Sequence, residues 1–224
     1  IDFTSYQVAV FILPAGQTVV RESVQELYPY GAIKDSPPKE GNLIGFIGAG
    51  SYFENWNVSR WSYLPHELGH LIDFAHGGSG RDSGEMGGYD IMFSQDGPFR
   101  TFSGWWRFLA DWFKEDQVFC DVVENFKDLN ISLVPLDSKQ SGIKLAMIKI
   151  SPTKILILES RRFSKFDNLK RQAFFQKERD PEFWDGLFVY TYDASQGHLQ
   201  NFLTPIASNQ ALAEYNWDGR TRYI

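Results

Sequence analysis

The chain has one cysteine, only four histidines, no run of apolar residues long enough to cross a bilayer and no excess of positive charge. Each shortage excludes something. A single Cys120 rules out an internal disulfide and leaves the redox compartment open. Set in DQVFCDVV, it reads as a buried, inert thiol. The longest apolar runs, VAVFIL and TKILILES, fall far short of the roughly 20 residues that a spanning helix needs. With 22 Lys and Arg against 28 Asp and Glu, the net charge is −6 and the basic residues form no stripe, which argues against a nucleic-acid partner. Repeats and low-complexity tracts are also missing. The chain opens at Ile1 without methionine and without a signal peptide's charged head and apolar middle, so a processed or trimmed product is expected.

What is present is a core. An apolar content of 43% and an aromatic content of 16% over 224 residues suffice for a sizeable folded body. YQVAVFILPAG (6 to 16) reads as a buried strand closed by Pro14 and Gly16, and LIGFIGAG (43 to 50) as a second strand. A short helix is expected at VVRESVQEL (19 to 27). Another is expected around residues 64 to 75, where Leu64, Leu68, Leu71, Ile72 and Ala75 recur at helical spacing after the start signals Ser62 and Pro65. FSGWWRFLADWFK (102 to 114) reads as an aromatic amphipathic helix used for packing. Beyond residue 128 the runs ISLVPL, IKLAMIKI, KILILES and GLFVYTY are strand-like. The expected class is α+β, with a mixed part over 1–127 followed by a mainly β part over 128–224.

Three of the four histidines fall between residues 66 and 76, in PHELGHLIDFAHGG. HExxH on a helix puts two histidines four residues apart on one face, able to share a zinc ion, with the intervening glutamate beside the first. His66, Glu67 and His70 fit that description. His76 extends it to HExxHxxGxxH, in which a third histidine completes a three-nitrogen site with one open position. An unbroken helix would turn His76 away from the other two, so the chain must leave the helix near residue 73. Glycine makes such a turn without penalty, and Asp73 stands in its place. Aspartate tolerates left-handed backbone better than most residues, so the turn stays open to it. The alternative is a helix that runs on to Gly77 as its cap, leaving His76 out.

With HELGHLIDFAH, the Gly-rich stretch after it and GGYDIMF (87 to 93), the sequence resembles the metzincin zinc peptidases, most nearly the secreted bacterial immune inhibitor A type. KILILESRRFSKFD followed by DGLFVYTYD is similar to that family's downstream strand pair. The resemblance implies a metzincin-like catalytic part with a mixed sheet, an active-site helix, a Met-turn and a C-terminal helix. It makes Met92 the Met-turn residue, with Met86 the weaker candidate. It implies a zinc-dependent endopeptidase in which Glu67 acts as general base on a zinc-bound water, secreted from the cell, with protein or peptide as substrate. The strand GFIGAGSY would then offer its edge, at Gly48, Ala49 and Gly50, to an extended peptide. Phe93, with Phe99 and Phe102, would wall a side-chain pocket.

This chain departs from the family's pattern at three places. Asp73 replaces glycine, many relatives of the immune inhibitor type carry aspartate where His76 stands, and Ser94 occupies the place of a tyrosine ligand. Residues 1 to 64 also supply fewer strands than a metzincin sheet has ahead of its zinc helix. Asp82, Glu85 and Asp90 offer oxygen ligands for calcium without the spacing of an EF-hand. His198 reads as a surface residue. A second functional class remains open: a binding or adhesion module that keeps a metal site for stability.

Overall fold

The computed structural model describes residues 5–11, 20–22, 25–27, 31–34, 45–48, 60–76, 86, 89–93, 101–128, 130–162, 186–197 and 200–206. The chain divides into two compact units, residues 1–75 and 76–224.

In the first unit, β1 (Val8–Phe11), β4 (Gly31–Lys34) and β5 (Gly45–Gly48) form a three-stranded sheet in the order β1-β5-β4. β5 runs parallel to β1 and antiparallel to β4, so both of its edges are taken. The helix expected at 19 to 27 is instead a two-stranded ribbon of β2 (Val20–Glu22) and β3 (Gln25–Leu27). A nine-residue helix is marginal in water and valines lower its propensity, whereas the ribbon pairs Val20–Glu22 with Gln25–Leu27 in antiparallel register.

Helix α1 (Arg60–Leu71) packs against β4 and β5. It begins upstream of the expected start signals, with Pro65 inside it. Proline's fixed φ suits a helix, and what it removes is one N–H, the one that would reach the Trp61 carbonyl. The expected apolar stripe is split. Leu71 is buried, but Leu68 and Ile72 are 44% and 39% exposed, and the inward face carries Ser62, His66, Glu67 and Gly69.

The second unit is a five-stranded sheet in the order β10-β9-β8-β7-β6, from β6 (Val118–Val122), β7 (Leu145–Lys149), β8 (Lys154–Arg161), β9 (Gly186–Asp193) and β10 (Leu203–Pro205). β6 and β7 are parallel and the remaining pairs antiparallel. Leu145 to Ile148 are all buried, the continuous apolar run of a strand covered on both faces. The run at 131 to 136 is not a strand: Pro135 forms a single bridge to Ser160 of β8, and Leu133 one to Ile143, ahead of β7. Helix α2 (Gly104–Leu109) covers half of the expected span, because Asp111 turns left-handed at φ 57 and ends it.

The compact units meet at 75/76. Residues 101 to 122 group with the later strands because they are bonded into them. Gly104 N–H donates to Glu159, Trp105 N–H donates to the Tyr190 hydroxyl, and β6 is the sheet's edge. Cys120, on that edge, is exposed and not buried as expected. Among the described residues no helix is long and apolar enough to cross a membrane.

Candidate metal centre

The end of α1 builds the site. Asp73 has φ 68, in the left-handed region, and two bonds close around it. Phe74 N–H donates to Gly69 C=O at 2.9 Å and Asp73 N–H to His70 C=O at 3.2 Å. This nested pair is a Schellman motif with aspartate in the usual glycine position. The helix does not continue to Gly77, so the alternative that would leave His76 out falls away. Asp111 and Trp112 repeat the device at the end of α2, with Trp112 N–H on Arg107 C=O and Asp111 N–H on Phe108 C=O.

The turn brings the three histidines together. Ligand nitrogens of His66, His70 and His76 all lie within 4.8 Å of one another. The Nε2 atoms of His66 and His70 are 3.2 Å apart, with the rings edge to face at 89°. Two nitrogens on a tetrahedral ion, each about 2.0–2.1 Å from it, stand about 3.3 Å apart, so that pair is already at ligand spacing. His70 Nδ1 lies 3.0 Å from the Phe74 carbonyl. A carbonyl only accepts, so Nδ1 carries the proton and Nε2 keeps its lone pair for a metal. His66 is 8% exposed and Glu67, beside it, is also 8% exposed. The three histidines can hold a metal ion, and an all-imidazole set of neutral nitrogens suits a borderline ion better than a hard one such as calcium.

The other expected site residues fare differently. Gly48 is paired on both sides, with Phe11 and with Gly31, so β5 has no edge to offer there. Ala49 and Gly50 lie outside the described residues, as do Asp82, Glu85, Ser94, Phe99 and His198. Met92 and Met86 are both fully buried. Phe93 is buried with its ring 5.8 Å from that of Phe202, a place in the core of the second unit rather than an open wall. Phe102 packs edge-on against Trp112. Asp90 spends both oxygens on the backbone, accepting from Met92 N–H at 2.7 Å and Ser103 N–H at 2.9 Å. Burial pushes its carboxyl up to about 6, outweighing those bonds and the Arg161 charge. It shapes the turn around Met92.

Sequence reasoning missed the group that ties this turn to the sheet. Arg161, 2% exposed on β8, donates to the Tyr89 carbonyl and to Thr101 Oγ1, and its Nε lies 3.1 Å from Glu159 Oε1. The last contact is charge pairing without hydrogen-bond alignment. Glu159 Oε2 accepts from Gly104 N–H and the Tyr190 hydroxyl. Burial, then the Glu159 charge, holds the Tyr190 hydroxyl well above its ordinary pKa. The signal was the pair of opposite charges in KILILESR, a stretch otherwise patterned as a buried strand.

Compared with protein-family models, with curated proteins and with solved structures, the chain matches none of them.

Proposed function

We propose that this chain is a secreted zinc endopeptidase of metzincin type, with His66, His70 and His76 as ligands and Glu67 as the general base. The observation that carries the reading is the convergence of three imidazoles around a helix end whose turn sets the Phe74 carbonyl against Nδ1 of His70. The donor set fits zinc, and a zinc ion bound there would supply Lewis-acid chemistry, lowering the pKa of water and polarising a carbonyl. Glu67 then manages the proton. Its carboxylate takes one from the attacking water as the C–O bond forms and passes it to the amide nitrogen as the C–N bond breaks. Secretion and the role of Met92 rest on the resemblance of HELGHLIDFAH and GGYDIMF alone.

Backbone pairing with an extended peptide belongs to an edge strand, since β5 is flanked on both sides. Of the two edges among the described residues, β4 is the one packed against α1, so the reading places the substrate strand there.

The test is cleavage of an unstructured protein by the native chain and by Glu67→Gln, each loaded with zinc. Cleavage by the native chain alone supports the peptidase. Zinc in both with cleavage in neither would leave a binding module with a structural metal site.

A further inference from the structure

We propose that the open edge of β6, with the apolar end of α2 that leads into it, is a docking surface for an extended segment of another protein carrying basic and apolar side chains. The inference lies beyond the peptidase reading and does not rest on it.

β6 is an outer strand of the five-stranded sheet, with β7 along one side and no strand among the described residues along the other. Its own bonds show which groups face outward. The amides of Val118 and Val122 are bonded to Glu115 C=O and to Asp121 Oδ1 rather than to β7. Successive residues of a strand turn their N–H and C=O to opposite sides, so Phe119 and Asp121 face β7 while Cys120 presents its N–H and C=O to the open side. The edge can therefore take an added strand centred on residue 120.

Apolar surface flanks that edge in the sequence. Leu109 and Trp112, where α2 ends, are each 52% exposed, and Phe108, Val122 and Val123 are exposed as well. Charge selects the occupant. Between Phe108 and Glu124 five carboxylates, those of Asp111, Glu115, Asp116, Asp121 and Glu124, stand against the single cation of Lys114. A second copy pairing edge to edge would bring these acids together, and nucleic acid or an anionic membrane would be repelled in the same way. A segment that alternates Lys or Arg with apolar residues meets the backbone groups, the apolar surface and the charge at once.

The experiment uses the full chain and, as probe, a short fluorescent peptide alternating lysine with valine. Anisotropy gives the affinity, and amide hydrogen exchange followed by NMR gives the place. Saturation is expected to slow exchange at the Cys120 amide about ten-fold or more, with little change at Phe119 and Asp121, which already face β7. A peptide alternating glutamate with valine is expected not to bind. Joint replacement by Glu115→Lys and Asp116→Lys, and separately by Leu109→Ser and Trp112→Ser, is expected to weaken binding roughly ten-fold each, whereas Cys120→Ala, which keeps the backbone groups, should bind as the native chain does. No binding of the lysine peptide, or equal binding by the charge-reversed variant, would overturn the proposal. So would binding that leaves exchange at Cys120 unaltered, which would reduce the effect to ionic attraction. Attachment to neutral phosphatidylcholine vesicles without peptide binding would assign the apolar end of α2 to a lipid surface and overturn it too.

Discussion

His70 donates through Nδ1 to the carbonyl of Phe74 at 3.0 Å, four residues on, across a turn closed by an aspartate in left-handed conformation. A ring held by that bond presents its other nitrogen toward His66 without further adjustment. The helix end, and not only the HExxH spacing, therefore prepares the site.

Zinc is expected to stabilise the native chain by mass action, about 2.7 kcal/mol at a free concentration a hundredfold above Kd. His66→Ala and His70→Ala should abolish that gain, and His76→Ala should reduce it. Thermal unfolding with and without zinc measures this. Equal shifts in all four proteins would mean that the ion binds elsewhere.

Arg161→Met should cost about 3–5 kcal/mol, because Glu159 is left as a buried charge without its cation. Combining it with Glu159→Gln should cost less than the sum of the two single changes. Urea unfolding of the three variants gives the coupling, and strict additivity would contradict the pairing.

Asp90 makes stability fall as pH rises. Its folded-state pKa, about 6, lies above the ordinary 3.8, so its contribution is complete below pH 3.8 and is lost as pH rises through 6. The loss amounts to about 3 kcal/mol. Urea midpoints between pH 4 and 7 should fall more steeply for the native chain than for Asp90→Asn. Parallel profiles would show that the buried carboxyl is not shifted.

Gly104→Ala should destabilise by about 1–3 kcal/mol. A Cβ there would stand 2.5 Å from Glu159 Oε2 and 2.5 Å from Leu145 Cδ1, while the Gly104 N–H is itself bonded to that oxygen. Calorimetry decides it, and an unchanged melting temperature would mean that α2 can shift away from β8.

What was legible in the sequence was local. The helix carrying His66 and His70, the left-handed turn at Asp73 and the apolar runs of β7, β8 and β9 all follow from spacing and residue type within a few positions. What was hidden depends on partners distant in the chain. No local pattern says that Gly48 is flanked on both sides, that β2 and β3 pair instead of coiling, or that Cys120 lies on an exposed edge. The exposure of Leu68 and Ile72 belongs to the same class, because α1 turns its histidine face inward and leaves part of its apolar stripe outside. Arg161 was missed because its partners, Tyr89 and Thr101, are 72 and 60 residues away.

The most direct measurement is X-ray absorption at the zinc edge on the full chain loaded with one equivalent. The expected spectrum shows nitrogen ligands at about 2.0–2.1 Å with imidazole scattering from three rings, reduced to two rings in His76→Ala. A spectrum dominated by oxygen or sulfur ligands, or one unaltered by His76→Ala, would contradict a centre built from His66, His70 and His76.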